Sequence, residues 1–260
     1  MKKITLILIT TLALTLNSYA GSNGELLLKK NDPTKVKECF EKFNRVTFAF
    51  NQSLDGAIFK PLASAYKTLP SPIKSGVSNS LSNLSNLVTI PNNLLQGEFK
   101  KASVNTGRFA VNTTLGLLGL LDVAQHLGMV QTEKEDYGQT LAKGGVGPGC
   151  YVVLPVLGPS TARDTVASAA NFLGGDAWYN VSVKNDTQYF NDFDYYSSKA
   201  ASGVDFRAKN FDSIDNLETN SLDFYASVKS LYLQDRQQKI LNSKKIISTQ
   251  DDSDWEEIQN

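Results

Sequence analysis

Histidine, cysteine and unbalanced charge are what this sequence lacks. His126 is the only imidazole in 260 residues, and Cys39 and Cys150 are the only thiols. No Cys-x-x-Cys pair or His-rich tract occurs, which argues against a zinc site. There is no Gly-x-Ser-x-Gly, so a serine hydrolase would have no nucleophile elbow and only His126 as base. The glycine-rich run at 144–149 lacks the Lys-Ser/Thr ending of a phosphate loop. Basic and acidic residues both number 26, for a net charge of +0, whereas nucleic-acid binders carry a basic stripe. The residues therefore give no catalytic, cofactor-binding or metal site, no enzyme activity, and no nucleic-acid partner. Apart from the N-terminus no long apolar run is present, and Ile4–Leu16 is too short to span a bilayer.

What is there begins with a processing signal. Lys2 and Lys3 precede the apolar stretch, and Ser18-Tyr19-Ala20 follows it, so cleavage is expected after Ala20. Residues 1–20 read as a signal peptide and 21–33 as a polar leader. Residues 34–241 read as one mainly α-helical domain. Residues 242–260 form an acidic tail, with Asp251, Asp252, Asp254, Glu256 and Glu257, expected to be disordered.

Within the domain the 3.6-residue period recurs. Val36, Phe40, Phe43, Thr47, Phe50 and Leu54 predict a first helix ending before Pro61, with an aromatic stripe fit for a core or for lipid. Pro72 opens a second helix through Ile73, Val77, Leu81, Leu84 and Val88. Its other face, Ser78, Asn79, Ser82, Asn83 and Asn86, is polar yet uncharged. That face suits either a Ser/Asn-rich surface or the lining of a wet channel. Pro91 is read as starting a new segment. A helix follows over Glu98–Thr113, with Phe99, Ala102, Thr106, Phe109 and Thr113 on one side. The Gly174–Asp186 stretch reads as loop. Further helices are expected over Asp194–Leu217 and Leu222–Leu241.

The densest information lies between Asn105 and Asp164. Leu115, Leu117, Leu118, Leu120 and Leu121 form an all-apolar patch that a core or a membrane could use. Gly144 to Ala162 is uncharged and contains Pro155, which argues for an irregular apolar loop or loose hairpin around Val152 and Leu154. Ser160 is the expected cap of a helix over Thr161–Phe172. The sparse charges Arg108, Asp122, Asp136, Arg163 and Asp164 read as structural ion pairs, as a polar channel wall, or as both, since charges in apolar surroundings need partners or water.

At these residues the chain resembles the MlaA (VacJ) family. The matching stretches are Phe43-Asn44-Arg45 with Phe50-Asn51, Pro61-Leu62-Ala63, Asn79 with Asn83-Leu84, and Asn93 through Gly97. They continue with Arg108-Phe109, Asn112-Thr113-Thr114, Asp122-Val123-Ala124, Asp136 through Leu141, Tyr151 through Pro155, Leu157 through Ser160, and Arg163-Asp164. A weaker echo lies at Tyr232-Leu233-Gln234 and Arg236. The resemblance implies a helical ring embedded in one leaflet of the outer membrane, with an amphipathic central channel and irregular apolar Gly/Pro loops. It implies removal of misplaced phospholipid from the outer leaflet, with trimeric porins as neighbours and a soluble periplasmic lipid carrier taking the cargo. Phe43, Asn44, Arg45, Asn51, Asn79, Asn83, Arg108, Asn112, Asp122, Asp136, Arg163 and Asp164 become ring and channel candidates. The five leucines, Val152 and Leu154 become membrane-contact candidates. Gly21 stands where the family carries its acylated cysteine, so a soluble periplasmic lipid-binding module is the alternative. Cys39 and Cys150 each stand where the family has proline, which suggests that they are bridged.

Overall fold

The computed structural model describes residues 36–171, 176–183 and 190–241. The expected signal peptide, leader and acidic tail lie outside the described residues.

The chain starts with helix α1 (Glu41–Leu54), which runs through a π-helical segment (Asp55–Phe59) into α2 (Lys60–Lys67). The expected stop before Pro61 does not occur. The proline falls at the start of α2, where a missing N–H costs little, just after the π segment has shifted the hydrogen-bond register. Helix α3 (Ser71–Leu95) likewise continues through Pro91 instead of restarting there. Beside the proline, the Asn92 side chain donates to the Val88 carbonyl at 2.8 Å and reinforces the turn.

Helix α4 (Phe99–Thr114) packs along α3, and the one-turn α5 (Val123–His126) and α6 (Tyr137–Lys143) follow. The apolar loop proves to be an antiparallel hairpin, β1 (Tyr151–Leu154) with β2 (Gly158–Thr161), in which Tyr151 faces Thr161 and Leu154 faces Gly158. Pro155 sits in the turn, where no ladder bond is needed from it. Helix α7 (Ala162–Ala170) is capped by Thr161, not Ser160; the Thr161 hydroxyl accepts from the Asp164 N–H. The stretch read as loop contains α8 (Ala177–Ser182), capped by Asp176. The next expected helix is split at Asn210 into α9 (Asp192–Lys209) and α10 (Phe211–Asn220), and α11 (Phe224–Leu241) closes the domain.

Burial is inverted relative to a water-soluble helical domain. In α1 the buried residues are Asn44 and Thr47, while Phe43, Val46 and Phe50 are exposed by 63%, 70% and 53%. In α3 the buried residues are Asn83, Asn86, Thr89, Asn92 and Asn93, so Asn83 and Asn86 of the uncharged polar face turn inward while Ser78, Asn79 and Ser82 are half-buried. Helix α4 buries Ala102, Asn105, Arg108 and Asn112 and leaves Phe99 outside. One apolar core cluster joins Tyr151, Val153, Tyr225 and Leu233, flanked by Val36, Phe48 and Tyr232, and Trp178 and Tyr195 are buried together elsewhere. Among the described residues no helix is long and apolar enough to cross a membrane.

Candidate functional site

Two asparagines on one face of α1 hold the hairpin. Asn44 donates to the Tyr151 carbonyl at 3.1 Å and accepts from the Val153 N–H at 2.9 Å. Asn51 donates to the Leu154 carbonyl at 2.8 Å and accepts from the Val156 N–H at 2.7 Å. A carboxamide can present an N–H donor and a C=O acceptor side by side, as a peptide strand edge does, so α1 imitates a third strand along β1. The disulfide Cys39–Cys150, with Cα atoms 5.6 Å apart, fixes the same junction covalently. Phe43, between these contacts, points outward. Arg45 also lies outside, paired with Glu41 at 2.9 Å and with Asp223 at 2.8 Å.

A second group forms at the end of α4. Arg108 grips the Asp122 carboxylate with bonds of 3.0 and 2.8 Å and also donates to the Met129 carbonyl. Asn112 donates to Asp122 at 2.9 Å and accepts from the Ala124 N–H. Burial raises the Asp122 pKa, but the bonds from Asn112 and Arg108 prevail and hold it below the usual carboxylate range. This clamp anchors the leucine loop. The loop's backbone is satisfied by α4: Leu118 N–H donates to Thr113 O and Gly119 N–H to Asn112 O. Its side chains Leu115, Leu117, Leu118, Leu120 and Leu121 are all exposed. Irregular backbone with its polar groups paired, and greasy side chains outside, is compatible with an apolar medium. Asn83 donates to Thr113 Oγ1 at 2.8 Å and Asn79 to the Leu120 carbonyl at 3.3 Å, so α3 carries the loop from beneath. A side chain at Gly119 would put its Cβ 2.7 Å from that of Asn83, at a φ of +90°.

Asp136, Arg163 and Asp164 come together around Arg236 of α11. Arg236 bonds Asp136 at 2.6 and 2.7 Å and Asp164 at 2.9 Å twice; Arg163 adds 3.0 Å and the Tyr232 hydroxyl 2.9 Å to Asp164. Burial pushes the Asp164 carboxyl up, but its arginine partners pull it down to about 2. A Cβ at Gly138 would lie 2.3 Å from both Arg236 and Asp164, so a side chain there would displace the ion-paired atoms. The sequence-predicted charges thus fall into two separate clusters. The hub of the second, Arg236, was visible in the sequence only as an arginine inside the weak C-terminal echo.

Three cavities line up along α3. The first two, of about 330 and 250 Å³, share walls at Leu81, Ser85, Lys134 and Ser202. A third, of about 220 Å³, adjoins at Val88 and Asn171 and carries Asp136, Asp164 and Arg236. Of the channel candidates, Asn79, Asp136 and Asp164 line these spaces, while Asn44, Asn51, Asn83, Arg108, Asn112 and Asp122 lie outside them and join the helices to the hairpin and the leucine loop. Reading the sequence missed Lys134, Lys199 and Ser202, whose long-range neighbours leave no periodic trace. Of the membrane-contact candidates, Val152 and Leu154 are half-buried; the hairpin's exposed apolar groups are Val156 and Leu157 at its tip, 57% and 60% exposed.

A sequence profile of the MlaA lipoprotein family matches residues 36–239. The intermembrane phospholipid transport system lipoprotein MlaA of Escherichia coli is 34% identical over 230 residues, 86% of this chain and 84% of that protein. Its namesake in Haemophilus influenzae is 31% identical over 84% of this chain and 86% of its own. An uncharacterised protein of Rickettsia prowazekii is 37% identical over 82% of this chain and 80% of its own. A solved structure from work on the maintenance of bacterial outer membrane lipid asymmetry superposes with a TM-score of 0.66, at 32% identity, over 79% of this chain and 99% of that one.

Proposed function

This chain belongs to the MlaA lipoprotein family, and from that premise we propose that it transports phospholipid between the outer membrane and the periplasm. It removes misplaced phospholipid from the outer leaflet and so maintains lipid asymmetry. The observation that carries this reading is the inverted burial. Phe43, Val46, Phe50 and the leucine loop face outward, while asparagines and ion pairs form the wall around cavities edged by both leucine and serine. An apolar exterior suits acyl chains, and an amphipathic interior suits a lipid headgroup with its adjoining glycerol. The helical domain lies in the inner leaflet as a ring, with the cavities along α3 forming its channel. Trimeric porins hold it laterally, and a soluble periplasmic carrier takes the cargo. The role is carriage without bond-breaking. The signal peptide is removed after Ala20, which the intact mass of the mature protein checks.

Deletion of the gene should raise phospholipid at the cell surface, and the wild-type chain should reverse this. The protein should stay in the outer-membrane pellet through salt washing. Recovery in the soluble periplasmic fraction, with unchanged surface lipid, would replace this reading by that of a soluble lipid-binding module.

A further inference from the structure

Lys134 sits between α5 and α6 with its side chain on the wall shared by the two larger cavities. Its ammonium donates to the Ser82 carbonyl at 2.8 Å and to Asn86 Oδ1 at 2.6 Å. Both acceptors are neutral, and an ammonium has three protons to place. The other lysines of these cavities are neutralised within the protein: Lys199 by Asp176 at 3.0 Å and Lys209 by Asp205 at 2.8 Å. Lys134 alone among them has no carboxylate within ion-pair distance among the described residues. A half-buried cation without a counter-charge is costly.

We infer that Lys134 forms a phosphate-recognition subsite in these cavities, its third proton directed to an oxyanion such as the phosphodiester of a phospholipid headgroup. The inference rests on the phospholipid reading above. Burial pulls the Lys134 pKa down to about 8, with Arg108 adding to the effect and Asp122 opposing it, so the cation persists at neutral pH but is poorly compensated. Burial raises the pKa of the neighbouring Glu135, which also lines one of the two cavities. The hydroxyls of Ser85 and Ser202, on the same shared wall, donate to the Ser82 and Ser198 carbonyls at 2.7 and 2.9 Å, so of these three side chains Lys134 is the one with a proton left for an anion. A phosphodiester supplies one negative charge and strong acceptors, and a charge-assisted bond is the stronger kind.

The test is lipid association with the full mature protein in neutral detergent micelles. Fluorescent phosphatidylglycerol is compared with a diacylglycerol of the same chains, for wild type, Lys134→Gln and Lys134→Arg. We expect Lys134→Gln to weaken phosphatidylglycerol association about tenfold and Lys134→Arg to stay within about threefold. Diacylglycerol association should not change in either variant. Lys134→Gln should also melt at or above the wild-type temperature, because an uncompensated half-buried charge is removed. Equal phosphatidylglycerol association in wild type and a well-folded Lys134→Gln overturns the subsite. Inorganic phosphate is the second probe. If it binds wild type but not Lys134→Gln while the two lipids are not distinguished, the site belongs to free phosphate and the headgroup assignment falls. Failure of the wild type to take up either lipid would sink the phospholipid reading itself.

Discussion

Two halves of this domain are held together by opposite means. Where α3 meets α4 and the leucine loop, the interior is polar: Asn105 donates to Asn93 at 2.8 Å, Asn83 to Thr113 at 2.8 Å, and Arg108 clamps Asp122. Where α1 meets the hairpin and α11, the interior is aromatic. Phe48 stacks edge-on against Tyr225 at 5.4 Å, Tyr225 against Tyr151 at 6.2 Å, and the disulfide closes the junction. On the proposed membrane reading, the two kinds of interior have different physical grounds. In lipid, moving a leucine from outside to inside gains almost nothing, so hydrogen bonds and ion pairs supply the cohesion. In water, burial of rings and aliphatic side chains supplies it. On the proposed reading the leucine loop meets lipid, and so does the outer face of α1 with Phe43 and Phe50, while the Tyr151 cluster on its inner side is held by ring burial.

Disabling the clamp on the polar half should have the largest effect. Arg108→Met leaves Asp122 partly buried and without its cation, at a cost of about 3–5 kcal/mol. Chemical unfolding in detergent micelles measures it; a loss below 1 kcal/mol would mean that water, not Arg108, solvates Asp122. On the aromatic half, replacing both cysteines by alanine should cost about 2–4 kcal/mol, since the bridge joins residues 111 positions apart. The same unfolding curve, read with and without reductant, gives the value. If neither treatment shifts the midpoint, the asparagine ladder of α1 suffices to hold the hairpin.

The acid limb of stability should come next. The folded-state pKa of Asp164 is about 2, below its ordinary value. Its contribution is therefore fully present above about pH 4 and is lost as the pH falls through 2, amounting to about 2 kcal/mol. Asp164→Asn should flatten the stability curve over that interval. An unaltered curve would assign the acid transition to other carboxylates.

Some of this was legible in the chain. The helical period placed α3, α4 and α11, and Pro155 argued against a central strand. Periodicity gives the stripe on a helix but not which medium it faces. In α1 the aromatic stripe through Phe43, Thr47 and Phe50 and the adjoining Asn44–Asn51 face are equally periodic, and only the tertiary contacts say that the asparagines go inside. The two prolines misled for a related reason. Pro61 follows a π segment and Pro91 sits beside Asn92 bonded to Val88, and neither compensation has a local sequence signal. Most hidden were partners far apart in sequence. Asp55 meets Arg207 at 3.0 Å, and Asp136 meets Arg236 at 2.6 Å. A pairing across such distances cannot be read from spacing.

The smallest effect on folding should separate the two environments most cleanly. Leu117 and Leu118 have φ values of 52° and 59°, in the left-handed region that leucine seldom occupies. Their side chains are 63% and 65% exposed, so packing within the protein does not explain leucine there. Asparagine tolerates this backbone better. Replacing both by asparagine should therefore leave the fold unharmed, or raise its stability by up to about 1 kcal/mol. It should also weaken membrane association, because each leucine withdrawn from lipid forfeits part of the ~1.5–3 kcal/mol that its full burial provides. Flotation of the purified protein with liposomes, beside its melting temperature, reads both quantities at once. Lower stability together with unchanged flotation would place these leucines in a protein contact and not against acyl chains.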